Sequence, residues 1–166
     1  MRAFGISLAL TLLAAAAIAQ QKAAQPQTVK TYASSADVAA LIAKASSERK
    51  DGQPLVAERI LQLAPYNANL EYRAAVGPAA VHEREAEMFY VIDGSGTMVT
   101  GGKLVKEART NAENLSGTGI EGGSSRTVAK GDFIIVPENT AHWFSAINGT
   151  LVLMSFHVPR TDSSTR

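Results

Sequence analysis

The sequence contains no cysteine, which excludes a disulfide scaffold, a thiolate metal site and a cysteine nucleophile. Histidine is scarce as well. Three occur, at 82, 142 and 157, so metal or acid–base chemistry must lean on those three and on carboxylates. Net charge is close to nil, with 16 basic and 15 acidic side chains among 166 residues. A balanced chain lacks the basic face that tracks phosphates, so no nucleic-acid partner is expected. No phosphate-binding loop, dinucleotide fingerprint or Ser-His-Asp grouping stands out. Beyond residue 19 no apolar run is long enough to cross about 30 Å of hydrocarbon. The length suits one domain, since domains run about 100–200 residues.

What is present begins with a leader. Fifteen of the first nineteen residues are hydrophobic. Arg2 precedes a charge-free run over 6–18, which ends in Ala17-Ile18-Ala19. A short basic start, an apolar stretch and an Ala-x-Ala site describe a secretory signal peptide, cleaved after Ala19. The mature chain is therefore expected in the periplasm or outside the cell, with no membrane attachment.

Residues 20–33 (QQKAAQPQTVKTYA) are polar and without period, and read as a flexible lead-in. Ser34-Ser35-Ala36-Asp37 resembles a capping box. Val38, Leu41, Ile42 and Ala45 then recur at i, i+3, i+4 and i+7, the apolar stripe of an amphipathic helix over 36–50. Arg49 and Lys50 suit its C-terminal dipole, and Gly52 supplies a left-handed cap. The helical unit spans 34–52, and its expected role is to cover the β structure that follows.

From residue 53 to 160 the texture changes to short strand-like runs: 55–63, 70–76, 88–92, 97–100, 133–136, 143–147 and 151–157. Gly, Pro, Asn and Asp punctuate them. The pattern predicts an all-β sandwich or barrel, with 161–166 left as a C-terminal tail. Nine of the thirteen glycines lie between 94 and 131, and 111–125 (NAENLSGTGIEGGSS) reads as a long surface loop or flap. It contains Asn114-Leu-Ser116, which with Asn148-Gly-Thr150 matches the glycosylation sequon.

Two stretches carry the chemistry. In the first, His82 stands five residues before Glu87, an apolar strand follows, and Gly94 closes it. In the second, Gly131 is followed by Phe-Ile-Ile-Val, Pro137 and then His142. Together they resemble the two motifs of the cupin family, in order and in spacing. The resemblance implies a double-stranded β-helix, the cupin jelly-roll barrel, preceded here by one N-terminal amphipathic helix. It also implies a metal site. Carried over residue by residue, the ligands are His82, Glu87 and His142. The family's fuller site has one more histidine, and Ala80 occupies that position. Asn139 stands where a glycine is usual, and Asn tolerates a left-handed turn better than most residues.

Two imidazoles and a carboxylate suit one divalent ion, Fe, Mn, Ni or Zn, and leave open positions on it. Strand alternation supports the grouping in part: Ala80, His82 and Arg84 share one face, Glu87, Phe89 and Val91 a second, His142, Phe144 and Ala146 a third. His157, at the end of the last apolar run, is a further candidate ligand, or else a hydrogen-bonded structural residue. Arg84 could meet an anionic substrate group, although a salt bridge to Glu83, Glu85 or Glu87 is the simpler use. Phe89 and Phe144 could line a substrate pocket, as could Tyr90 and Trp143.

The expected function is a metal-dependent enzyme acting on a small organic molecule, of dioxygenase, isomerase, lyase or decarboxylase type. The alternative is a non-catalytic module that binds a small ligand or sugar and has lost its metal. The resemblance further implies a homodimer, with 55–63 as a candidate edge.

Overall fold

The computed structural model describes residues 28–160. The expected signal peptide, most of the lead-in and the C-terminal tail lie outside the described residues. At the described end of the lead-in, Lys30 and Gln62 exchange two backbone hydrogen bonds of 2.8 Å. That contact takes up part of the bare edge of the first strand.

Helix α1 spans Ser35–Glu48. The capping box forms in full, with Ser34 Oγ accepting from the Asp37 amide and the Asp37 carboxylate accepting from the Ser34 amide. At its other end the helix stops because Arg49 turns extended, at φ −61° and ψ 129°. Gly52 is left-handed as expected, but it turns the chain three residues beyond that stop and does not cap the helix. The Arg49 guanidinium donates to the carbonyls of Lys50 and Gln53 and so holds this turn.

Eleven strands follow: β1 Leu55–Leu63, β2 Tyr66–Arg73, β3 Ala79–His82, β4 Glu85–Thr100, β5 Lys103–Val105, β6 Ala108–Arg109, β7 Asn114–Gly117, β8 Gly119–Glu121, β9 Ser124–Ala129, β10 Phe133–Val136 and β11 His142–Pro159. All pairings are antiparallel. The fold is the expected all-β jelly roll with one helix.

Four expected strands merge into two. The runs 88–92 and 97–100 belong to β4, and 143–147 and 151–157 to β11. These two long strands pair along their lengths, His142 opposite Thr100 at one end and Pro159 opposite Glu85 at the other. Gly94 explains why β4 continues where a turn was expected. Its φ is +82°, and a Cβ there would lie 2.0 Å from the Thr150 carbonyl oxygen. Only glycine lets the strand bend that closely against β11.

The stretch 111–125 is also corrected. It carries β7, β8 and the start of β9, not a flap. Its strands are hard to read from sequence because their glycines look like turn residues while serving close packing. Gly119, for example, lies under the Trp143 ring, with a Cβ placed 3.3 Å from it.

Strand alternation sorts the interior into two clusters. Phe89, Val91, Met98, Val128, Ile134, Val136, Phe144, Leu151 and Leu153 fill the barrel. On β1, β2 and the opposite face of β11, Ile60, Ala68, Leu70 and Val152 pack with Ala45 under α1, joined by half-buried Val38, Leu41 and Ile42. The helix therefore covers a sheet face. Each fully buried Leu or Phe contributes about 1.5–3 kcal/mol relative to exposure, so the barrel cluster is the main source of rigidity beneath the polar residues described next.

Candidate metal centre

β3 ends at His82, β4 brings in Glu87 in its first half, and β11 begins with His142. These three strands converge at one end of the barrel. His82 Nε2 lies 3.2 Å from Glu87 Oε2, and His142 Nε2 lies 3.0 Å from the same oxygen. One ligand-type atom from each of the three residues falls within 4.8 Å of the others. Donors bound about 2.1 Å from an ion and at right angles are about 3.0 Å apart, so the spacing fits three neighbouring corners of a coordination sphere.

The far side of each ring decides the tautomer. His82 Nδ1 is 2.8 Å from Asn114 Oδ1, and His142 Nδ1 is 3.3 Å from the Thr140 carbonyl oxygen. Both partners are acceptors, so each Nδ1 carries a proton and donates it. In a neutral ring that leaves Nε2 as a lone pair aimed inward. Two nitrogen lone pairs and a carboxylate oxygen then share one small space, and Glu87 is only 4% exposed. Such a convergence of acceptors needs positive charge within it, supplied by a metal ion or by extra protons on the rings. The residues present therefore fit a divalent cation.

Electrostatics follow from the same contacts. Burial penalises the charge on Glu87, but hydrogen bonds from His142 and His82 prevail and hold its carboxyl well below the usual range. Burial likewise opposes charge on His82, and bonds to Glu87 and Asn114 outweigh it, so its pKa is raised.

The other sequence-predicted residues take different places. His157 stands beside the group without being one of its three members. Its Nε2 is 3.4 Å from Glu87 Oε1, its Nδ1 is 3.0 Å from Glu85 Oε2, and its ring meets that of His82 edge-on at 4.8 Å. With His82 and Glu85 it forms a second cluster of ligand-type atoms. Ala80 is the register partner of His142, so the missing histidine would stand next to the site.

Arg84 does not follow Ala80 and His82 inward. β3 ends at His82 and the chain bends at 83–84, which breaks the alternation. Its exposed side chain stands 3.9 Å from Glu113, and Glu83 is bonded to Arg109 at 2.7 Å. Phe89 and Phe144 pack edge-to-face with centroids 5.5 Å apart and are almost wholly buried. Phe89 lies 6.1 Å from the His142 ring. They form a floor beneath the group, within the core cluster. Tyr90 packs on Phe133, and Trp143 donates to the Gly77 carbonyl.

Asn114 is the functional residue that sequence reasoning missed. It sits in the presumed flap, and nothing in its local sequence signals a partner at His82. Pairing of β7 with β3 sets them opposite each other. The sequon asparagine thus turns its amide toward the centre. Asn139 takes the expected left-handed turn, at φ +55°, and its amide donates to the His82 carbonyl at 2.7 Å, tying the second motif to the first.

A family model described as Cupin matches residues 54–164. No curated protein matches the chain by sequence. Among solved structures, KdgF from a Halomonas species is similar at a TM-score of 0.50 and 18% identity, covering 69% of this chain and 86% of that one. A crystal structure of Fe(II) HppE is similar at a TM-score of 0.50 and 15% identity, covering 66% of this chain and 53% of that one. At these identities the likeness is one of fold.

Proposed function

Since this chain belongs to the cupin family, we propose that it is an exported, metal-dependent enzyme acting on a small organic molecule held in the barrel. The observation that carries this reading is the convergence of His82 Nε2, His142 Nε2 and Glu87 Oε2 at 3.0–3.2 Å, with both Nδ1 protons already committed. One divalent ion, Fe, Mn, Ni or Zn, would be held by these three side chains. Bound there, it would polarise a carbonyl or hydroxyl of the substrate, or bring dioxygen beside it. The Fe(II) of the structurally similar HppE agrees with this donor set.

The chain's own residues do the positioning. Asn114 and the Thr140 carbonyl fix the two rings. Phe89 and Phe144 close the floor against water. His157, held by Glu85, reaches the second oxygen of Glu87 and keeps that carboxylate from rotating.

Metal analysis of protein purified without a chelating column tests the reading. Near-stoichiometric divalent metal, lost in His142→Ala, supports it. Metal-free protein with no thermal response to added divalent ions sinks it. A second reading, a ligand-binding module without metal, is favoured by Ala80 in the place of a ligand and predicts that second outcome.

The chain is also proposed to form a homodimer. Its natural contact is β10 rather than the expected edge at β1, which Lys30 partly occupies. Among the described residues β10 is bonded to β4 alone. Its outward residues Phe133 and Ile135 are 75% and 62% exposed, although Ile134 and Val136 are buried. A strand apolar on both faces is made to be covered on both.

A further inference from the structure

The barrel wall is unclosed on one side. β9 and β10 both run antiparallel to β4, and among the described residues neither is bonded to any other strand. Side chains that face the interior from these two strands can therefore be reached along a free edge. Arg126 is one of them. It pairs with Met98, which pairs in turn with Phe144, and both of those belong to the barrel cluster. Directly paired residues share a sheet face, so Arg126 lies on the inner face, yet it is exposed.

A cavity of about 260 Å³ opens at this edge, lined by Thr100, Arg126, Ile134, Val136 and Thr140. The metal centre adjoins it. Val136 is the register partner of Glu87, and Thr100 is that of His142. The Thr140 carbonyl is the oxygen 3.3 Å from His142 Nδ1. Phe133 and Ile135 border the cavity too, but they alternate outward, so a partner packed on them leaves the inner lining in place.

Charge narrows what the cavity takes. Among the described residues that line it, Arg126 alone is charged, and its guanidinium has no ion-pair or hydrogen-bond partner among the described residues. Asp132 lies in the adjoining groove, where its carboxylate accepts from the Ala129 amide at 2.8 Å. A guanidinium without a counter-ion, set against Ile134 and Val136, is a ready partner for an anion, and its fork of donors matches one carboxylate. A divalent ion held by a single glutamate keeps net positive charge. A molecule lying between the two would meet positive charge at both ends.

We infer that the substrate is a small carboxylate, seated in this edge cavity with its carboxyl group on Arg126. The inference rests on the metal-centre reading for where the rest of the molecule lies, but its test is separate. The full mature chain, loaded with Zn(II), is titrated calorimetrically with 4-oxopentanoate. Its methyl ester is the neutral control, and 3-oxobutylphosphonate is the phosphate-like one. Wild type binds the carboxylate about tenfold or more tighter than the ester, and in preference to the phosphonate. Arg126→Gln removes that advantage, as loss of a charge-assisted hydrogen bond predicts, while zinc content and ester binding stay unchanged. Arg126→Lys, which keeps the charge without the fork, loses less. Arg126 is exposed and unpaired, so both variants melt with wild type, and the preference of wild type for acid over ester needs no variant at all.

Zinc-loaded protein that ignores the carboxylate, binds acid and ester alike, prefers the phosphonate, or keeps its affinity in Arg126→Gln overturns the inference and leaves the metal reading standing. If zinc does not bind, the metal reading has failed. The same titrations on metal-free protein then decide the cavity: carboxylate binding weakened by Arg126→Gln supports it, and any other result overturns it.

Discussion

The amide oxygen of Asn114 lies 2.8 Å from Nδ1 of His82, across 32 positions of sequence. The contact commits one ring nitrogen as a donor and turns the other toward Glu87. Thr140 does the same for His142 through its backbone, a contact no side-chain substitution removes. The asymmetry makes Asn114 the adjustable element of the centre.

Replacing Asn114 with Leu is expected to weaken metal binding by about 10–100-fold, the usual cost of losing a partner that orients a ligand. Asn114→Asp, which keeps an acceptor at the same place, should retain most of the affinity. Competition with a chelator of known affinity measures both. Equal loss in the two variants would show that the amide oxygen does not set the ring.

The pH dependence of stability follows from two groups. Glu87 is held below its ordinary 4.5 in the folded state. Its contribution is fully present above that value and is lost as pH falls through the depressed one. His82 is raised above its ordinary 6.5. Its contribution is fully present below 6.5 and is lost as pH rises through the raised value. For these two groups, metal-free protein should therefore be most stable between 4.5 and 6.5. A metal needs the Nε2 lone pair, so the stabilisation it adds should grow as pH rises past that window. Melting curves with and without chelator, from about pH 3 to about pH 9, cover both arms. A metal increment that shrinks above the window would contradict the assignment.

Ala80 invites repair. Its Cα pairs with that of His142 on neighbouring strands, so a side chain there shares a face with the group. Ala80→His is expected to add a ligand and to tighten metal binding on the order of tenfold or more. Metal-binding isotherms of the variant and of wild type test this. Unchanged affinity would mean that the imidazole cannot reach the ion.

The proposed dimer can be broken at β10. Phe133→Asp with Ile135→Thr should convert a dimer into a monomer by light scattering, with metal content unaltered. Both side chains face outward, so loss of fold is not expected, and surface substitutions usually stay within about 0.5 kcal/mol. A wild-type protein that is monomeric at all accessible concentrations refutes the contact.

Much of the site can be traced from the chain alone, and the exceptions have physical causes. Glu87, Phe89 and Val91 alternate on one strand, and all three are buried. His142 and Phe144 behave alike, but the register shifts between Phe144 and Ala146 and ends the pattern. Arg84 fell outside because a bend follows β3. Gly94 reads as a turn in the sequence because a glycine needed for close approach looks the same there as one needed for a turn.

By itself, the sequence determined the architecture and singled out the three candidate ligands. Alternation, turn residues and two spaced motifs are local properties, and they carry His82, Glu87 and His142 together with the capped helix. Tertiary structure alone decided what lies behind and beside those candidate ligands: Asn114 at His82, Glu85 at His157, Ser155 without a partner, and a β2 face that is polar inside the barrel. Each of these depends on which strand lies next to which. Strand order and register are set by burial across the whole sheet, and no window of sequence contains that information.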